Sequence, residues 1–340
     1  MIESNLSNQE NLVSPTLLES PVFENSLRPK TLNEYVGQST LKNNLKIAIK
    51  SSKIRNDTLD HILLHGPAGT GKTTLANIVA IEVGTSLKIT SGPALEKVSD
   101  IASIISNLKE NDILFIDEIH RLKSSVEEVL YTAMEDFAID IVIGKGPSAR
   151  AMRINLPKFT LIGATTKISM LSSPLRDRFG NVFHFQNYSD LEIEEILVRS
   201  SGILDVKLDK DALRLLSSSS RKTPRIANRL LKRVRDFAVF HELEKIDFDN
   251  LKLALNDLGI DNMGLDERDR EILSVIIEKF SGGPVGLSTI SAAVKDEEDT
   301  IESVYEPFLI QLGFLERTPR GRIVTKSAYK HLNIKNVQYE

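Results

Sequence analysis

The sequence predicts an α/β protein: a parallel sheet with flanking helices, then a small helical domain, then a C-terminal winged helix. Three observations predict it. Up to Phe185, short apolar runs alternate with longer helical patterns, the signature of a sheet covered on both faces. After Phe185 the strand signal fades, and residues 190–258 carry helical periodicity alone. Beyond the loop Gly259 to Leu265, more helix is followed by Phe314-Leu315, a Thr318-Pro319-Arg320-Gly321 turn and Ile323-Val324, the outline of a wing.

Residues 1–20 are rich in Ser, Asn and Glu without periodicity and read as a disordered tail. Leu41, Leu45, Ala48 and Ile49 fall at helical spacing. Ile62-Leu63-Leu64, Ile113-Leu114-Phe115-Ile116 and Phe159-Thr160-Leu161-Ile162 are strand candidates, uniformly apolar as strands buried on both faces should be. Between the last two, Ile141-Val142-Ile143, a Gly144-Lys145-Gly146-Pro147 turn and the alternating Met152, Ile154 and Leu156 predict a hairpin over 139–156 that the core does not need. Pro224 suits the first position of a helix, and Gly282-Gly283-Pro284 breaks the last region. The expected divisions are 21–185, 186–258 and 259–335. There is no internal repeat.

Composition narrows the function classes. At 340 residues the chain is too long for one ordinary core. The net charge of -4 excludes a polycation, so any nucleic-acid contact must be a local patch. The absence of cysteine excludes a disulfide framework and cysteine zinc sites. No apolar run approaches the ~20 residues that span a bilayer, and no basic-then-apolar leader begins the chain. A cytoplasmic protein with no membrane association is expected.

The motif with the most chemistry is Gly66-Pro67-Ala68-Gly69-Thr70-Gly71-Lys72-Thr73, set between a strand and a helix. Its glycines let backbone N–H groups face a β-phosphate, and the helix adds its positive end. Lys72 can neutralise the β/γ-phosphates, and the Thr73 hydroxyl can ligate Mg²⁺. The strand at 113–116 then runs into Asp117-Glu118. Two carboxylates at the end of a buried strand are costly unless a cation or a water awaits them. Asp117 suits the Mg²⁺ shell and Glu118 a general base. Thr165, at the end of the next strand, can hold the attacking water, although a strand-end Thr alone is usually a turn. In Ser173-Pro174-Leu175-Arg176-Asp177-Arg178-Phe179, an arginine could reach a neighbouring subunit's γ-phosphate; the plainer reading is a surface ion pair. Arg221 to Arg235 holds seven Lys/Arg and no acid, with Arg225, Arg229 and Lys232 on one helix face, facing solvent, DNA or the bound phosphates.

Together these residues resemble an AAA+ ATPase, and more closely the RuvB family. Leu27-Arg28-Pro29, Tyr35-Val36-Gly37-Gln38, Ser91 to Lys97, Ile116 to Leu122, Ile143 to Arg150, Thr223 to Val234 and Leu315 to Arg322 all carry the resemblance, which covers about residues 26 to 332. It implies an AAA+ P-loop ATPase domain, a small helical domain and a winged helix. It implies an ATP-driven ring motor, a homo-hexamer, that moves Holliday junctions with a RuvA-type partner docked on the hairpin 139–156 and a RuvC-type resolvase as a further partner. It implies that Leu27 and Arg28 contact the adenine end of ATP, and that Gly69, Gly71, Lys72, Thr73 and Thr74 line the phosphates. Glu135, Asp136, Phe137, Arg176, Tyr188 and Arg225 become nucleotide-facing residues, Arg178 the arginine finger, and Arg317 and Arg322 backbone contacts to DNA on the wing. Thr70 stands where the family often has Leu, Phe137 where Tyr is common, and Asp296 to Asp299 lack an arginine common in relatives.

Other classes were weighed. A nucleotide-switched initiator or loader also joins AAA+ to a winged helix, and ATPase rate with and without branched DNA separates it from a translocase. A protein unfoldase would show an aromatic-apolar pore loop between the P-loop and Asp117, and none is present. The basic wing residues Arg317, Arg320, Arg322, Lys326 and Lys330 read as a DNA contact, against which the acids 296–299 could hold the arginines in ion pairs.

Overall fold

The computed structural model describes residues 26–143 and 150–334. The N-terminal tail 1–20 and the hairpin turn Gly144 to Pro147 lie outside the described residues.

Five parallel strands form the main sheet: β1 (Ile62–His65), β2 (Leu87–Ser91), β3 (Ile113–Asp117), β6 (Thr160–Thr165) and β7 (Asn181–His184), in the order β2-β3-β6-β1-β7. A separate two-stranded ribbon pairs β4 (Ala138–Ile143) with β5 (Arg150–Asn155). Strand residues alternate between two cores. Leu63, Leu114, Ile116 and Leu161 pack on one face, and Ile62, Leu64, Ile113, Phe115 and Ile162 on the other. Helices α1 (Ser39–Arg55) and α2 (Lys72–Val83) cover the second face; α3 (Val98–Ser106) and α4 (Ser124–Glu135) cover the first. Each fully buried Leu, Ile or Phe in these layers contributes roughly 1.5–3 kcal/mol.

The arrangement aims chemistry at one edge. All five strands run the same way, so β1, β3 and β6 deliver Gly66, Asp117 and Thr165 to the same end of the sheet. The central strands are the apolar runs expected from the sequence. The edge strands β2 and β7 were not: Leu-Lys-Ile-Thr-Ser and Asn-Val-Phe-His are half exposed and carry no continuous apolar run.

The helical domain comprises α5 (Asp190–Leu204), α6 (Lys210–Ser218), α7 (Pro224–Phe240) and α8 (Phe248–Asp257), around a core of its own. Its helix starts follow local chemistry. Ser189 and Glu192 form a capping box for α5, Asp209 and Asp247 cap α6 and α8, and Pro224 opens α7. The fourth core is built on α9 (Glu267–Phe280), α10 (Leu287–Val294) and α11 (Glu306–Gln311), closed by the antiparallel β8 (Leu315–Thr318) and β9 (Gly321–Val324). This is the expected winged helix. Among the described residues, no helix is long and apolar enough to cross a membrane.

Candidate nucleotide site and wing

A cavity of about 270 Å³ lies between the C-terminal edge of the sheet and the helical domain. Its floor is the glycine loop. Gly69 and Gly71 take positive φ of 75° and 100°, and each has a neighbour where a side chain would begin. A Cβ on Gly69 would lie 2.7 Å from the Thr223 methyl, and one on Gly71 would lie 2.5 Å from the Tyr35 hydroxyl. Glycine is therefore required by space as well as by backbone conformation.

Lys72 begins α2 and is buried. Its Nζ donates to the Gly66 and Pro67 carbonyls at 2.9 and 2.8 Å, folded back onto the loop. Burial pulls its pKa down to about 8, opposed by Asp117 and reinforced by the cationic Arg225. The ammonium thus sits where an added anion would hold its proton. Thr73, Thr74, Asp117 and Glu118 line the same cavity. Glu118 has a left-handed φ of 47°, and its carboxylate lies 3.3 Å from Arg121.

The helical domain forms the roof. Arg225, Arg229 and Lys232 of α7 line the cavity, so that basic face turns toward the glycine loop. Tyr188 and Tyr35 brace the loop from behind. Their hydroxyls lie 3.1 Å from each other and 3.1 Å from the Thr70 carbonyl oxygen. With two protons for three contacts, one chain of donation runs from Tyr188 through Tyr35 to Thr70. Burial pushes the Tyr188 phenol up to about 12 and Tyr35 well above its usual range, so both stay neutral donors. Leu27 and Arg28 line the far end, where Arg199 donates to the Leu27 carbonyl at 2.7 Å and pairs with Glu34 at 3.6 Å.

Several expected residues lie elsewhere. Thr165 is buried outside the cavity wall. Its hydroxyl accepts from the Lys167 N–H at 3.0 Å and is hydrogen-bonded to His120 Nδ1 at 2.9 Å. The next residue, Thr166, lines the cavity. Arg178 is also outside it: its guanidinium donates to Glu135 at 2.9 Å and the Pro174 carbonyl at 2.7 Å, and lies 4.8 Å over the Tyr131 ring. Asp136 pairs with Arg153 at 2.6 Å, Phe137 packs edge-on to Phe159 with centroids 6.0 Å apart, and Arg176 donates to the Ser173 hydroxyl at 3.5 Å. Glu135, Asp136, Phe137, Arg176 and Arg178 thus form a cluster away from this chain's own cavity. The sequence reading missed Tyr35, Glu34, Arg199 and Thr166. Tyr35 lay in a quoted motif without a role, and Arg199 had no local signal because its partner Leu27 is 172 positions away.

On the wing, Arg317 and Arg322 face each other across β8 and β9. Both are ion-paired. Arg317 meets Glu302 at 2.9 Å and Arg322 meets Glu306 at 2.9 Å. The Arg322 side chain is 11% exposed and that of Glu306 3%, whereas Arg317 is 57% exposed. The acids at 296–299 are not the partners. Asp296 pairs with Arg268 at 3.6 Å and Asp299 with Lys167 at 3.5 Å. Glu302 and Glu306 hold the wing arginines because they lie on the helical turns packed beside β8.

Comparison with known proteins fits this geometry. Residues 27–185 match the Holliday junction DNA helicase RuvB P-loop domain, 188–261 the RuvB AAA lid domain, and 262–333 the RuvB C-terminal winged helix domain. The Holliday junction branch migration complex subunit RuvB of Dehalococcoides mccartyi is 54% identical over 96% of this chain and 94% of its own length. That of Chloroflexus aurantiacus is 55% identical over 96% and 93%. The solved Thermotoga maritima RuvB Holliday junction branch migration motor superposes with a TM-score of 0.82 at 48% identity, covering 91% of this chain and 99% of that one. From the nucleotide loop to the wing, the chain belongs to the RuvB family.

Proposed function

We propose that the chain is an ATP-hydrolysing motor that drives branch migration of Holliday junctions in DNA recombination and repair, working in the cytoplasm as a homo-hexameric ring with a RuvA-type partner. The observation that carries the reading is the split of the site. Lys72, Asp117, Glu118 and Arg225 converge on one cavity, while Arg178 sits outside it. A cavity complete but for one cation calls for a neighbour to supply it.

In this reading Lys72 and the loop N–H groups bind the β/γ-phosphates. Glu118 takes the proton of the attacking water, and Thr165, through its link to His120, orders the wall around that water. Thr166 stands closer to the reacting end than Thr165. Thr73 and Asp117 would hold Mg²⁺. Among the described residues no trio of His, Cys, Asp and Glu is grouped for a metal, which suits an ion held by one carboxylate, one hydroxyl and the substrate's phosphates. When bound, Mg²⁺ neutralises charge on the transferred phosphoryl group.

Arg178 acts on the neighbouring subunit's nucleotide, with Glu135 as its resting partner and Asp136, Phe137 and Arg176 around it. Exposed apolar side chains suit subunit packing: Val239 and Phe240 at the end of α7 are 73% and 81% exposed, and Ile47 and Ile54 on α1 are 66% and 75% exposed. Mixing tests the ring. Arg178→Ala should retain ATP binding and lose hydrolysis by roughly 10³-fold. Mixed with Lys72→Ala subunits it should regain activity, because each supplies the half the other lacks. No recovery in rings shown to contain both would overturn the reading.

The ribbon β4/β5 is the docking site for the RuvA-type partner. Its base is anchored by the buried Ile139 and the half-buried Ile154, and Met152 further out is 47% exposed. Replacing Ile141 and Ile143 with Ser should weaken docking and leave ATPase intact; a lowered melting temperature would count against docking. A RuvC-type resolvase would join the same assembly on the junction. DNA is held by its backbone on the wing, chiefly through the exposed Arg317, with Arg322 fixing the hairpin.

A further inference from the structure

The chain from Arg221 to Arg225 grips two domains at once. Arg221 follows α6, and its side chain leaves the helical domain. Nη2 donates to Asp269 Oδ2 at 2.6 Å and to Asp266 Oδ2 at 2.9 Å, and Nε donates to the Gly264 carbonyl at 2.9 Å. The guanidinium also lies 4.5 Å over the Phe308 ring. Asp266 and Asp269 form the capping box of α9, the first helix of the winged domain, and Asp269 is fully buried. Phe308 is on α11, which also carries the Glu306 that fixes Arg322 of the wing.

The following residues face the other way. The Lys222 carbonyl accepts from the Tyr188 N–H at 3.3 Å, and the Tyr188 hydroxyl lies 3.1 Å from the Thr70 carbonyl of the nucleotide loop. The Thr223 methyl packs on Gly69, and Arg225 enters the cavity. Arg221 and Lys222 both hold left-handed φ, 53° and 52°. Two such residues in succession persist only where the surroundings fix them from both sides.

We propose that Arg221 is a positioning residue that couples the nucleotide cavity to the winged helix, so that a movement of Arg225 and the glycine loop around ATP is passed to the DNA-holding wing. The proposal rests on the reading that the winged helix holds the DNA. Arginine is required because one planar fork serves two carboxylates and a carbonyl while stacking on Phe308; a lysine keeps the charge but cannot make these contacts together.

The test uses the full-length protein with a synthetic four-way junction and the RuvA-type partner. The readout is strand separation per ATP hydrolysed, measured beside ATPase without DNA, junction affinity and melting temperature. Arg221→Ala should lower strand separation per ATP by roughly tenfold, the size of a typical intersite coupling. KM for ATP, DNA-free ATPase and junction affinity should stay within about threefold on the same scale. Arg221→Lys should fall between Arg221→Ala and the parent. Should Arg221→Ala not fold, Asp266→Asn removes one acceptor at a half-exposed position and leaves the Asp269 pair; it should lower the ratio several-fold at a near-normal melting temperature. An unchanged ratio in the variant that folds overturns the proposal. So does a parallel fall of ATPase, junction affinity and melting temperature, which marks a purely structural clamp. Failure of the DNA reading looks different: Arg317→Ala would then leave junction affinity unaltered.

Discussion

Two arginine clusters in this chain are built in opposite ways. On α7, Arg225, Arg229 and Lys232 face the nucleotide cavity, and among the described residues no carboxylate is paired with them. On the wing, Arg317 and Arg322 are neutralised by Glu302 and Glu306. Like charges in a concave wall repel one another; Glu34, Asp117 and Glu118 in the same wall offset part of that repulsion, and an incoming polyanion relieves the rest. The cavity therefore favours an anion such as phosphate. On the wing the repulsion is already offset, so in the proposed contact DNA would displace carboxylates. Arg317, mostly exposed, can change partner at little cost. Arg322 is held harder, because its departure would leave the buried Glu306 to the longer 3.8 Å contact with Arg317. A basic run in a sequence becomes a binding site only when the acids that face it in space are known.

Four substitutions test this contrast. The largest effect is expected at the cavity. Lys72→Ala should weaken ATP binding by about 100-fold or more, as loss of one partner in a buried charged contact does; calorimetry showing near-normal affinity would break the comparison. The same site predicts a pH dependence. With a pKa of about 8, the Lys72 ammonium is charged below that pH and loses its proton above it. Bound phosphate favours the charged form, so ATP affinity should be full below pH 8 and fall as the pH rises past it.

The second effect is on stability. Arg322→Ala takes the 2.9 Å partner from the buried Glu306 and leaves it the longer 3.8 Å contact with Arg317, so it should cost roughly 3 kcal/mol in denaturant unfolding of the winged region, the low end for breaking a buried pair. A neutral result would mean that the pair is dispensable. The third and smallest effect separates Arg317 from its carboxylate. Glu302→Gln should strengthen junction binding modestly, and Arg317→Ala should weaken it about equally across sequences and reduce the salt slope by ~1. An unaltered salt slope in Arg317→Ala would remove the wing from the DNA contact.

Much of this was legible in the sequence, and the exceptions have physical causes. β1, β3 and β6 are central strands, buried on both faces, so burial wrote itself into continuous apolar runs. β2 and β7 are edges with one side half open, and they left no such run. The glycine loop and Asp117-Glu118 were legible because phosphate binding demands contiguous residues. Arg199 and Leu27, 172 positions apart, were not, since only the folded chain brings them together. Thr165 is the last residue of β6 and Thr166 the first beyond it, and a motif alone does not say which one faces the cavity. The wing arginines read as a DNA contact, with the run 296–299 as the alternative partner, yet the carboxylates that reach them are Glu302 and Glu306.

The account turns on ATP being cleaved in this cavity by a base at Glu118, with the energy spent on a DNA junction. Glu118→Gln keeps the shape of the side chain and removes the base. Its direct measurement is dissociation of a synthetic four-way junction with ATP and the RuvA-type partner, beside ATP binding by the same protein. The account predicts that Glu118→Gln binds ATP as tightly as the parent, assembles on the junction, and neither hydrolyses ATP at an appreciable rate nor separates the strands. Near-normal hydrolysis or strand separation by Glu118→Gln would contradict it.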